Sequence, residues 1–189
     1  LPFWALGLRY PNQVSCEGPP VDPVGAPNWV KATYEFPATD QHGPLTLHWS
    51  DGGEHFDLVA NTLDDRDRPL SRWGLGVLFV GDRGMLASDY GRHTLLPKDA
   101  FQDYTAPEAT IPDSVGHWKE WTAACRSGTP TTCNFDYSGA LTETVLLGTV
   151  AYRSGKRLQW NAEAVRAENA PEADEFIHKP YRPGWELAK

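Results

Sequence analysis

The segment Asn28-Trp29-Val30-Lys31-Ala32-Thr33-Tyr34-Glu35-Phe36 alternates apolar and polar side chains without a break. Val30, Ala32, Tyr34 and Phe36 fall on one face, and Lys31, Thr33 and Glu35 on the other. Only a strand with one buried face uses a period of two in this way. Leu45, Leu47 and Trp49 repeat the pattern against Thr46, His48 and Ser50, and Asp51-Gly52-Gly53 ends it with turn chemistry. Gly76–Val80 is apolar on both faces, the pattern of an inner strand. Gly81-Asp82-Arg83-Gly84 turns that run into Met85–Ser88, and a third short strand is predicted over Arg92–Leu96. Strands joined by such short turns pair antiparallel.

The last third changes period. Ser114–Arg126 places Val115, Trp118, Thr122 and Cys125 on one helical stripe, with Ser114 as N-cap and Gly128 as stop. A second helix, capped by Asp136 or Ser138, runs to about Ser154 before Gly155. Its Ala140, Leu141, Val145, Leu146, Leu147, Val150 and Ala151 nearly encircle the axis, which predicts burial against a sheet. Leu158–Trp160 is predicted as a final edge strand and Pro171–Ile177 as a short helix. The stretch 52–73, rich in Asp, Arg and Pro, reads as a loop excursion. Strands followed by helices predict an α+β fold: a mostly antiparallel open sheet with helices packed on one face, in a single domain over residues 1–189. Leu1-Pro2-Phe3-Trp4-Ala5-Leu6-Gly7-Leu8 opens in mid-pattern, with Trp4, Leu6 and Leu8 resembling the end of a buried segment, the start of either a natural chain after processing or a fragment of a longer protein.

At 40% hydrophobic and 22% charged residues, the composition is that of a globular chain with a core of its own. A net charge of −8, with no basic stripe, argues against a nucleic-acid partner. The longest apolar runs are far short of the roughly 20 residues that span a bilayer, so no membrane role is expected. Cys16, Cys125 and Cys133 are odd in number and lack C-x-x-C spacing; they read as buried free thiols, not a disulfide framework.

Candidate chemistry is sparse. His48, Asp51, Glu54 and His55 are the densest group of metal-type ligands, but they surround Gly52-Gly53 and read better as a solvated turn; no metal is expected. Asp89-Tyr90-Gly91-Arg92-His93 gathers an acid, a phenol, a guanidinium and an imidazole around one glycine. Arg92 suits a carboxylate or sugar hydroxyl, and Tyr90 and His93 can donate hydrogen bonds; the competing reading is a tight turn with an Asp–Arg pair. His117, at a helix start beside Glu120, and Asn134, ahead of the apolar helix, complete the substrate-binding candidates. Gly74-Leu75-Gly76-Val77 is not a dinucleotide fingerprint, because no βαβ pattern surrounds it.

Several blocks resemble the Gfo/Idh/MocA oxidoreductase family, in its bacterial, planctomycete-type branch. They are Trp4-Ala5-Leu6 with Pro11, Glu17-Gly18-Pro19-Pro20, Tyr34-Glu35-Phe36-Pro37 and Trp49-Ser50-Asp51-Gly52-Gly53. Gly76-Val77-Leu78-Phe79-Val80-Gly81 with Gly84-Met85-Leu86, and Asp89-Tyr90-Gly91-Arg92-His93, follow in order. Asn134-Phe135-Asp136-Tyr137-Ser138-Gly139 with Leu141-Thr142-Glu143, and Tyr181-Arg182 with Gly184-Trp185, close the series. The resemblance implies a carboxy-terminal substrate and oligomerisation domain, built like those of dihydrodipicolinate reductase and glyceraldehyde-3-phosphate dehydrogenase. It implies NAD or NADP on an amino-terminal Rossmann domain absent from this chain, a sugar or polyol-like substrate, and a homo-oligomer formed through the sheet. It puts the catalytic residues upstream of Leu1, so this chain is expected to be inactive alone. The free thiols favour a cytoplasmic location; a twin-arginine signal in the missing part is the alternative. The competing class is a stand-alone carbohydrate-binding or protein-interaction module, which eight Trp and seven Tyr would suit.

Overall fold

The computed structural model describes residues 1–186. It is α+β, with open antiparallel sheets and no barrel. The chain, predicted from its pattern as one domain, divides into two compact units: residues 1–61 with the described chain from Leu141 onward, and Thr62–Ala140.

The first unit opens with helix α1 (Pro2–Ala5), where the proline occupies a first-turn position that lacks an intrahelical acceptor for N–H anyway. Phe3 and Leu8 are buried, but Trp4, expected inside, is exposed. Strands β1 (Gln13–Glu17), β2 (Lys31–Phe36) and β3 (Leu45–Ser50) follow, then the short helix α2 (Asp57–Asn61). The expected alternation in β2 is present: Ala32, Tyr34 and Phe36 are buried and the residues between them are not. Register places Val14 opposite Tyr34 and Leu158, and Tyr34 opposite Leu47, so one face of the sheet is apolar from strand to strand.

The second unit supplies three strands in one meander: β4 (Val77–Val80), β5 (Met85–Ser88) and β6 (His93–Leu96). The Gly81 amide donates to the Gly84 carbonyl at 2.9 Å and closes the expected β4–β5 hairpin. Gly76–Val80, expected to be an inner strand, is instead the edge: β5 lies in the middle, and Val80 is 62% exposed. Sequence pattern reports which faces a strand can bury, whereas the number of neighbours depends on pairing from elsewhere in the chain. Helix α3 (His117–Ser127) begins three residues later than expected, with Gly116 at the N-cap position; the Ser114 hydroxyl accepts the Gly116 amide at 3.1 Å and does not cap the helix. Gly128 ends it in the left-handed conformation, as expected. None of its residues is buried, so the predicted stripe of Val115, Trp118, Thr122 and Cys125 faces solvent. Cys125, on this helix, and Cys133, between α3 and α4, are exposed, against the expectation of buried thiols; Cys16 is half-buried.

Helix α4 (Phe135–Ser154) ends where the sequence predicts. Its cap is neither Asp136 nor Ser138. Asn134 Oδ1 accepts the Tyr137 amide at 3.1 Å while the Asn134 carbonyl accepts the Ser138 amide at 2.8 Å, the N-cap arrangement. Nor is α4 buried all round: Ala140, Leu147, Val150 and Ala151 are buried, but Val145 and Leu146 are exposed, because a single sheet covers only one side of a helix. In the first unit the helix lies on the apolar sheet face. Gly148 permits the approach: a Cβ there would meet the Tyr34 hydroxyl and stand 3.5 Å from the Ala32 Cβ. The Thr144 hydroxyl donates to the Arg9 carbonyl at 3.1 Å, and the Tyr152 hydroxyl to the Pro19 carbonyl at 2.9 Å, fixing the register along the sheet. Strand β7 (Leu158–Asn161), expected at an edge, pairs with β1 and with β8 (Arg166–Ala167), giving the order β3-β2-β1-β7-β8. Leu158 is fully buried there. Each such apolar side chain contributes about 1.5–3 kcal/mol. A 3-10 segment over Pro171–Phe176 follows.

Burial pushes the Tyr34 phenol up to about 12, with Cys16 adding to the rise and the Gly148 amide opposing it. A folded-state value above the unfolded value of 10.0 means that stabilisation is complete below pH 10 and is lost as pH rises toward 12. Two pH units correspond to about 2.7 kcal/mol. Chemical denaturation between pH 9 and 12 should show this loss in the native chain, and Tyr34→Phe should remove the portion between pH 10 and 12. An unchanged profile in the variant would assign the alkaline transition to other groups.

Candidate functional site

The most ordered polar cluster among the described residues of the second unit is built on a tight loop. Leu63 and Pro69 form a bridge, the Asp64 amide donates to the Arg68 carbonyl at 2.8 Å, and Asp67 adopts a positive φ of 57° to close the turn. This geometry directs the Asp64 carboxylate inward, where its side chain has no solvent exposure. Oδ1 accepts the amides of Arg66 at 2.9 Å and Arg68 at 3.0 Å. Oδ2 accepts Arg68 Nε at 3.2 Å, Arg68 Nη2 at 2.9 Å and Trp73 Nε1 at 3.1 Å. Burial alone raises the pKa of such a carboxyl, but these donors outweigh it and hold Asp64 well below the usual carboxylate range.

Trp73 ends a 3-10 turn over Leu70–Trp73 and links two acids. Its N–H serves Asp64, and the Arg92 guanidinium lies over its ring, 3.7 Å from the centroid. Arg92 Nε donates to Asp89 Oδ2 at 2.8 Å. Asp89 Oδ1 accepts the amides of Gly91 and Arg92 at 2.8 and 2.9 Å, so one carboxylate shapes the β5–β6 turn. The Gly91 amide first, then the Arg92 side chain, lower the Asp89 pKa.

The five predicted substrate-binding residues are therefore placed as follows. Tyr90, Arg92 and His93 share the β5–β6 hairpin, with Tyr90 96% exposed at its tip and His93 exposed beside it. Arg92 is committed to Asp89 and Trp73, the ion-paired turn that the sequence offered as the competing reading. His117 is the first residue of α3, its ring 4.8 Å from that of Trp118. Asn134 caps α4. Sequence reasoning missed Asp64 and Trp73 by reading 52–73 as an excursion. The available signal was the acid followed at two and four residues by Arg66 and Arg68, whose amides a looped aspartate can collect.

In the first unit, the metal-type residues separate into contacts of their own. His48 Nδ1 lies 3.0 Å from the Thr33 hydroxyl, Asp51 Oδ1 accepts the Val30 amide at 2.8 Å, and Glu54 pairs with Lys31 at 3.4 Å. Among the described residues, no group of three or more His, Cys, Asp or Glu is placed to hold a metal ion. A cavity of ≈ 290 Å³ lies along the β2–β3 hairpin, lined by Asn12, Glu35, Phe36, Pro37 and Leu45 among others. Glu35, its titratable group, is paired with Arg157 at 2.6 Å, so the cavity offers no free acid–base pair. No helix among the described residues is long and apolar enough to cross a membrane.

No known protein family matches the chain, and no curated protein matches it either.

Proposed function

We propose that the chain is the substrate-binding part of an NAD(P)-dependent oxidoreductase of the Gfo/Idh/MocA type, acting on a sugar or polyol-like compound and working with a separate Rossmann domain. The observation that supports this reading is the open antiparallel sheet with α4 laid across its apolar face, the architecture that the ordered motif blocks imply. No residue of this chain is assigned to NAD or NADP. Gly74-Leu75-Gly76 leads into an edge strand of an antiparallel sheet and opens no βαβ unit, so it does not fit a dinucleotide. Catalysis is assigned to residues outside the chain. The chain's own part is recognition, with Tyr90 and His93 presenting hydrogen-bonding groups on a hairpin that Arg92 and Asp89 hold in shape. His117 and Asn134 stay secondary members of that set. A homo-oligomer and a cytoplasmic or twin-arginine-exported location belong to the same proposal.

The test uses the complete natural gene product. Sugar-dependent reduction of NAD or NADP is expected, and His93→Ala or Tyr90→Phe should each lower kcat/KM roughly tenfold, the worth of one substrate hydrogen bond. Unchanged kcat/KM in both variants, with Arg92→Ala changing only thermal stability, would make the hairpin structural. The exposed rings of Tyr90, Trp118 and Trp121 favour a second reading, a carbohydrate-binding module. That reading expects this chain to bind polysaccharide with no nucleotide present.

A further inference from the structure

Arg92 is anchored twice and still has one edge unused. Its guanidinium lies over the Trp73 ring, 3.7 Å from the centroid, and its Nε donates to Asp89 Oδ2 at 2.8 Å. Trp73 is itself fixed, because its N–H donates at 3.1 Å to the fully enclosed Asp64 carboxylate. Both Asp89 oxygens are engaged, Oδ1 by the Gly91 and Arg92 amides and Oδ2 by Arg92 Nε. The terminal nitrogens Nη1 and Nη2 of Arg92 donate to nothing among the described residues, and the side chain is 39% exposed. An ordinary surface arginine loses rotamer freedom when it grips a ligand; here the ring stack and the ion pair fix the rotamer beforehand.

We infer that the Nη1–Nη2 edge of Arg92 is a carboxylate receptor, and that it sets the charge of the ligand this hairpin takes. Two coplanar N–H groups match the two oxygens of a planar carboxylate. A phosphate dianion suits the edge less well. It would set two negative charges against one guanidinium, already paired with Asp89, in a chain of net charge −8. A neutral sugar makes no use of the charge. The receptor needs no nucleotide domain. Its further consequence rests on the proposed enzymatic reading: the sugar or polyol-like compound is a sugar acid, and Arg92 is the residue that selects it.

Titration of the full 189-residue chain with D-glucuronate, followed by proton–nitrogen NMR at the Arg92 side chain and the Gly91 amide, tests the inference. A saturable shift at both groups is expected. The methyl ester of D-glucuronate, which keeps the ring and loses the charge, should bind at least about tenfold more weakly, and inorganic phosphate should also bind more weakly. Arg92→Lys keeps the positive charge and removes the two-pronged edge; it should weaken glucuronate binding at least about tenfold with far-ultraviolet circular dichroism unchanged. No saturable shift overturns the receptor. So does an ester that binds as well as the acid, tighter binding of phosphate, or a folded lysine variant that binds like the native chain. Reduction of NAD or NADP by the complete gene product is scored separately. Reduction with neutral sugars, and no glucuronate bound here, sinks the receptor and leaves the enzymatic reading. Glucuronate bound here, and no reduction with any sugar or sugar acid, does the reverse.

Discussion

Asp64→Ala should unfold the Thr62–Ala140 unit well below the melting temperature of the native chain, by more than about 10 °C for a unit of this size. The carboxylate is the common acceptor for five donors, and deleting it leaves the Trp73 indole N–H and the Arg66 and Arg68 amides without their acceptor and frees the half-exposed Arg68 guanidinium. Asp64→Asn should be nearly as damaging despite its matched size, because an amide has only one acceptor oxygen where five donors converge. Near-ultraviolet circular dichroism, which reports Trp73 packing, is the readout. An Asp64→Asn chain that melts with the native one would show the loop to be held by its backbone bonds alone. The acid limb gives a second check. The folded-state pKa of Asp64 is depressed, so its stabilisation is complete above the ordinary value of 3.8 and is lost as pH falls below it. The native chain should lose stability across that limb, and the asparagine variant should not show this component.

Two glycines of α4 should respond to the same substitution with opposite signs. Gly139→Ala should stabilise by about 1 kcal/mol, the helix-propensity difference, since a Cβ there meets nothing within 4 Å. Gly148→Ala gains the same propensity but drives a methyl into the Tyr34 hydroxyl, in a core where overpacking costs about 1–3 kcal/mol. Gly148→Val, with two further carbons, should therefore be destabilised by about 3 kcal/mol. Urea denaturation of the three variants decides the matter. Combining Gly148→Ala with Tyr34→Phe should recover much of the loss, because the phenol oxygen is the atom in the way. Equal effects at positions 139 and 148 would mean that α4 does not approach the sheet this closely.

Much of the architecture could be read without coordinates. The alternation over Lys31–Phe36 and Leu45–Ser50, the Gly81–Gly84 hairpin and the end of α4 at Ser154 are local signals, set by period and turn chemistry within a few residues. The candidate site was legible only as a list. Arg92 and Asp89 were visible as neighbours, yet the stacking of Arg92 on Trp73 and the tie from Trp73 to Asp64 span separations that no periodic pattern encodes.

The sequence by itself determined the α+β class, the antiparallel pairing of successive strands and the extent of the long helix, because each follows from contacts between near neighbours. Only the tertiary structure decided that β4 lies at an edge and β7 inside, that α3 buries nothing, and that Asp64 is the enclosed anchor of its loop. Which side of a strand or helix is covered depends on what the distant chain brings against it. A carboxylate in an Asp-Arg-rich stretch looks solvated until five donors are seen to surround it.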